Sequence, residues 1–237
     1  MLLRDVAVTV KAFIKRGSEY FRPDEKLVRS AFDAHAAGVC SLYLYNLPKL
    51  VTSNTAKVIL AVTQDARLAE GHEIDRTIEV IQVPWFFAFE SYWEAGEQTK
   101  KRQILDLLQE GLLWTAEHEG WQKQPLIEAY NACLSSDLVH ERFWRKAGKS
   151  SWQSPDKRLK AKVLWKFGLE SIEILAVFFD RNNCELGRRV LLSLIPSEHL
   201  LASSLGDAKW LSSKRFALVS RSKKKKWTVN VQDLAAE

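Results

Sequence analysis

Residues 97–120 repeat large apolar side chains at helical spacing, with Ile104, Leu108 and Leu112 on one face and Glu97 one turn before Lys101. On either side the period changes to two. Residues 5–14 alternate Val6, Val8, Val10 and Ala12 with Asp5, Ala7, Thr9 and Lys11, and beyond residue 160 Val163, Trp165 and Phe167 alternate with Lys162, Leu164 and Lys166. A long helical block between strand-rich ends points to an α+β chain.

The N-terminal region reads as a β-α-β-β-β unit. Its helix follows Pro23 through Leu27, Val28, Ala31, Phe32 and His35, with Asp24 and Glu25 favouring the positive end of the helix dipole and Gly38 near its end. Three β-rich runs follow at residues 39–47, 57–63 and 76–83, separated by Pro48, by Asn54 and by a polar connection over residues 64–75. After the long helix a second starts at Pro125 and runs through Leu126, Ile127, Tyr130 and Leu134, and a short third is expected over residues 138–146. Residues 148–156, with Ser150, Ser151, Ser154 and Pro155, read as a linker, dividing the chain into a region at residues 1–147 and another at residues 158–237.

The C-terminal region predicts an antiparallel β-meander of about four to five strands. Residues 172–179 are apolar on both faces, as a central strand would be, and a turn at residues 180–183 leads into a strand over residues 188–195 that Pro196 ends. Strands at residues 216–220 and 227–231 flank a turn carrying Arg221 and Lys223 to Lys226.

Charge is unevenly distributed. Residues 1–140 hold 15 Lys+Arg against 19 Asp+Glu, giving −4, whereas residues 141–237 hold 20 against 10, giving +10. Such a separation bears on the sign of partners and on steering, not on fold. No run reaches the roughly 18 apolar residues of a membrane helix. Asp5, Lys11 and Lys15 interrupt the segment that a signal peptide would need. Cys40, Cys133 and Cys184 form no CxxC pair and suit reduced thiols. These features lead to the expectation of a cytoplasmic protein with no membrane association.

Catalytic signatures are few. His118-Glu119 and His140-Glu141 lack the second His of a zinc helix, and no glycine-rich phosphate loop, dinucleotide fingerprint or GxSxG elbow occurs. The expectation is therefore no enzyme, no cofactor and no metal. The one echo of a divalent-metal nuclease is Asp180 with Asp207 and Lys209.

Three functional readings follow. The leading one is a non-catalytic protein that docks on another protein, most concretely a bacterial immunity or inhibitor protein covering a cationic toxin or nuclease. Residues 65–119 carry 12 acidic against 5 basic side chains, and Glu90, Glu94 and Glu97 with Trp93 and Trp121, among nine tryptophans, supply charge and aromatic anchors. The alternative is a nucleic-acid-binding protein that uses the basic C-terminal sheet through Arg221, Lys223, Lys224, Lys225 and Lys226. A metal-dependent nuclease is the second alternative.

Overall fold

A computed structural model describes residues 1–10, 23–64, 66–70 and 74–232. The chain is α+β and divides into two compact units, Met1–Val139 and His140–Glu237, each with its own apolar core. Residues 148–156 therefore lie inside the second unit rather than between the two.

In the first unit, β1 (Asp5–Thr9) leads to α1 (Pro23–Asn46), then β2 (Lys57–Thr63), the short α2 (Ala66–Ala69), β3 (Asp75–Thr77) and β4 (Val80–Phe86). Helices α3 (Phe89–Glu94), α4 (Glu97–Glu119) and α5 (Gln124–Ser135) complete it. The sheet order is β1-β2-β4-β3, with β1, β2 and β4 parallel and β3 antiparallel. Pro84 is tolerated in β4 because β3 pairs only as far as Gln82, so that edge needs no N–H donor at residue 84. The buried Tyr43 hydroxyl donates to Gln109 Oε1 (2.7 Å) and lies 2.9 Å from the Leu126 carbonyl, tying α1 to α4 and α5.

Two expectations are corrected here. Residues 39–47 are the last turns of α1, not a strand, so the N-terminal order is β-α-β-α-β-β. The buried stripe Phe32, Ala36, Val39, Cys40 and Tyr43 continues at helical spacing through Gly38, and burial against α4 and α5 outweighs the β preference of the local residues. The run at residues 76–83 is a hairpin instead of one strand, turned by Ile78 and by Glu79 at a φ of 60°, a position that usually carries Gly or Asn. The expected first strand ends at Thr9 where it is described; residues 11–14 lie outside the described residues.

The second unit contains β5 (His140–Phe143), β6 (Trp152–Gln153), β7 (Lys160–Phe167), β8 (Ile172–Phe179), β9 (Glu185–Leu194), α6 (Glu198–Ser204), β10 (Asp207–Ser212), β11 (Arg215–Val219) and β12 (Lys226–Asn230). The expected helix at residues 138–146 is replaced by β5. Asp137 (φ 51°) and Leu138 (φ 55°) turn the chain out of helical geometry, and His140 to Phe143 then pair with β7. β7, β8 and β9 form an antiparallel meander, which β5 and β6 extend to five strands; the strands expected at residues 216–220 and 227–231 do not continue it but, as β11 and β12, pair with β10 in a second antiparallel sheet.

The two sheets enclose one core of Trp152, Val163, Ile174, Phe178, Phe216 and their neighbours. β9 runs beside β12 and β6 beside β10, so the two sheets pack edge near edge around that core. At the second seam the Trp210 indole N–H donates to the Trp152 carbonyl at 2.8 Å.

Gly206 sets the entry to β10. Its N–H donates to the Val219 carbonyl (3.0 Å), and a Cβ there would overlap the backbone of Ser220 and Arg221. Since that contact is with backbone, which cannot rotate away, Gly206→Ala is expected to destabilise the second unit by roughly 3 kcal/mol. Urea unfolding followed by tryptophan fluorescence measures this, and an unchanged midpoint would refute the close approach.

Candidate functional site

In the three-stranded sheet the alternation of a β-strand sorts side chains cleanly. Ala208, Trp210, Phe216, Leu218, Trp227 and Val229 face the core, while the register places Asp207, Lys209, Arg215, Lys226, Thr228 and Asn230 on the opposite face, together with the buried Ala217 and half-buried Val219 of the central strand. That outer face carries three cations and one anion. Lys146 Nζ lies 2.9 Å from Asp207 Oδ1, and this bond holds the Asp207 carboxyl below the usual carboxylate range, with Lys209 adding to the field. Because the shift is downward, the pair is intact at neutral pH and is lost only as pH falls through the depressed value.

The turn between β11 and β12 extends the same surface. Lys223 N–H donates to the Ser220 carbonyl (2.9 Å), Ser220 N–H to the Lys225 carbonyl (3.0 Å), and Lys225 N–H to Ser220 Oγ (3.1 Å). The turn is thus held by its own backbone and two serines, leaving the Arg221, Lys223, Lys224, Lys225 and Lys226 side chains exposed.

A pocket of about 640 Å³ opens at the seam between β6 and β10, lined among others by Lys146, Lys149, Trp152, Asp207, Lys209 and Trp210. Two of its lysines come from a tight hairpin. Lys146 and Lys149 exchange backbone hydrogen bonds of 2.8 and 2.9 Å around Ala147 (φ 47°) and Gly148 (φ 81°), the left-handed pair that a two-residue type I′ turn requires. Lys149 Nζ stands 5.6 Å from the centroid of the Trp152 ring, whose other neighbour is the stacked ring of Trp144 at 5.5 Å.

The acidic surface is organised differently. Glu90 and Glu94 are exposed on α3 and make no ion pair among the described residues. Trp93 between them is half-buried, against Tyr92 (5.0 Å between centroids) and His35 (5.7 Å), with Lys100 Nζ 5.7 Å from its ring. Four other carboxylates of the acidic stretch have internal partners. Glu97 pairs with Lys101 (2.7 Å), Asp106 with Arg102 (2.8 Å), Glu117 with Lys123 (2.9 Å) and Glu119 with Arg76. The Lys123 hydrogen bond lowers the Glu117 carboxyl, as the Glu119 bond raises Arg76. Trp121 is buried, and its indole N–H has no hydrogen-bond partner among the described residues, so it belongs to the core rather than to a docking surface.

The nuclease residues are not gathered into a metal centre. Asp180 Oδ1 accepts the N–H groups of Asn182 and Cys184, both at 2.8 Å, and so caps its own turn, while Asp207 is engaged by Lys146. Among the described residues no group of three or more His, Cys, Asp or Glu is placed to hold a metal ion, and no helix is long and apolar enough to cross a membrane.

Sequence reasoning singled out the Lys223–Lys226 turn but missed Lys146, Lys149, Trp152, Arg215 and Trp210. Two local signals bear on them: the Lys-Ala-Gly-Lys order around a hairpin turn, and the period-two alternation through β10. No protein-family model matches the chain, and comparison with curated proteins and with solved structures gives no match.

Proposed function

We propose that this protein binds nucleic acid through the basic face of its C-terminal unit. The observation that carries the reading is the clustering of exposed cations in one part of the second unit: Lys209, Arg215 and Lys226 at the margins of the outer face of the three-stranded sheet, around Ala217 and Val219, and Arg221, Lys223, Lys224 and Lys225 in its turn, with Asp207 paired to Lys146. Phosphate backbones are recognised by such clusters because each Lys–phosphate contact releases condensed counterions. The regular spacing of a β-sheet also suits a ligand with evenly repeated charge. The acidic surface of the first unit has less to offer, since four of its carboxylates already have basic partners within the chain. The expected result is binding of single- and double-stranded oligonucleotides whose log K falls linearly with log salt at a slope of about −3 or steeper. Fluorescence anisotropy measures it, and the absence of salt-sensitive binding near neutral pH would refute the reading.

A second reading, docking on a cationic protein such as a toxin or nuclease that this chain would inhibit, is favoured by one observation. Glu90 and Glu94 flank the half-buried Trp93 and make no ion pair among the described residues, and an aromatic anchor with like charges beside it is what an interface hot spot uses. A pull-down from the native host followed by charge reversal at Glu90, Glu94 and Glu97 tests it. Recovery of a stoichiometric protein partner lost on reversal supports this reading, and a partner indifferent to the changes removes the surface.

A further inference from the structure

We propose that two copies of this chain associate through the outer face of the five-stranded sheet. The inference is independent of the nucleic-acid reading, because no cation of the three-stranded sheet or of its turn takes part. When one face of an antiparallel sheet lies on a core, the other is normally polar. Here it is not. With Val163, Ile174, Ala176 and Phe178 turned to the core, the register lines up Phe143, Leu164, Leu175 and Val190 in one row across β5, β7, β8 and β9 on the opposite face. Leu164 is already buried within that face, but Phe143 and Val190, at the two ends of the row, stay 42% and 49% exposed.

The charges on the face favour a second copy as the occupant. The next row runs Glu141, Lys166, Glu173 and Ser193, so the exposed Lys166 and the half-buried Glu173 stand side by side on β7 and β8. A two-fold interface has to be complementary to itself. An axis parallel to the strands and midway between β7 and β8 sets each β7 side chain over a β8 side chain of the other copy. It brings Leu164 onto Leu175, Phe143 onto Val190 and Lys166 onto Glu173, so the apolar row meets itself and the four charges alternate in sign. An axis at right angles to the strands would instead set Lys166 over Lys162. Lys162 Nζ lies 5.0 Å from the centroid of the Phe143 ring and 4.8 Å from that of Phe179, so its stem follows the face. Arg188, near the rim, is paired with Glu185 at 2.7 Å. Two such faces pack with their strands nearly aligned, as stacked sheets do. Strands about 4.8 Å apart and about 27 Å long give a four-strand face of roughly 500 Å² per copy. The total of about 1,000 Å² is near the lower bound of specific interfaces, so the dimer is weak and depends on concentration.

Sedimentation equilibrium of the full chain without nucleic acid, over about 1 to 200 µM, tests the proposal. The expected result is an average mass that rises with concentration from one chain towards two. Val190→Glu, at an exposed position, is expected to leave thermal melting unchanged and to abolish the rise. Lys166→Glu is expected to weaken association about tenfold, because two attractive pairs become repulsive, and the double swap Lys166→Glu with Glu173→Lys to restore it. Monomer mass at every concentration overturns the proposal, as does association that Val190→Glu leaves unchanged. Association that ignores Lys166→Glu, or that the double swap fails to restore, overturns the pairing on which the choice of a second copy rests.

Discussion

Replacing Lys223, Lys224, Lys225 and Lys226 together by glutamine is expected to lower nucleic-acid affinity by about three orders of magnitude at about 0.1 M salt. Each phosphate contact releases roughly 0.7 counterion on a single strand and 0.9 on a duplex, so four contacts contribute about three to four log units per tenfold dilution of salt. The slope of log K against log salt should flatten by the same number. The loss should be nearly uniform across sequences, because lysines on phosphates carry no base information. All four side chains are exposed, and the backbone bonds that hold the turn are kept, so stability should stay within about 0.5 kcal/mol of the wild type. A variant that folds and binds with an unchanged slope would remove the turn from the interface and leave Lys209 and Arg215 as its remaining cations.

The largest effect on stability is expected at the other end of the chain, from Phe32→Ala. Phe32 is fully buried on α1, with its ring 5.2 Å from Phe87, 4.9 Å from Phe89 and 5.1 Å from Tyr92. Removing a buried phenyl ring costs about 3–5 kcal/mol in lost transfer energy and residual cavity, and three tilted or edge-on aromatic contacts place this site toward the upper figure. Against a typical domain stability of about 5–15 kcal/mol, that is enough to leave the first unit marginal. The second unit has its own core, so the damage should stay local: amides of β1, β2 and α4 should lose protection in hydrogen exchange while those of β7, β8 and β11 keep it. Equal loss of protection in both units would show that they unfold as one. The same variant should retain salt-sensitive binding, which provides a control for assigning that activity to the second unit.

Several elements were legible because a local pattern and a tertiary demand agreed. α4 was bounded to within a residue because Ile104, Leu108 and Leu112 repeat without interruption and Gly120 ends the helix at a φ of 67°. β2 and the β7–β8 pair were read correctly because short apolar runs rich in Val, Ile, Leu and Phe coincide with strands that are largely buried. The errors fell where pattern and context part. The Val39–Tyr43 segment is rich in residues that favour strands, yet it lies on the helical stripe begun by Phe32, and only the presence of α4 and α5 against that stripe makes the helix the better solution. The Ile78–Glu79 hairpin gave no turn signal because Glu79 occupies a left-handed position without being Gly or Asn.

For function, the sequence by itself determined the charge of each half, the exposed lysine turn and the order of most strands, because composition and short-range periodicity are local properties. Only the tertiary structure decided which charges are spent on one another and which remain for a partner. Arg76 and Glu119 are 43 residues apart and meet across the first unit; Lys146 finds Asp207; and Trp152 meets Trp210 from 58 residues away. Such pairings depend on sheet closure and register, whose contacts form between distant parts of the chain, and no window along the sequence contains both partners. The β6–β10 seam is of this kind: Lys146, Lys149 and Asp207 are ordinary surface residues until the two sheets of the second unit bring their edges side by side.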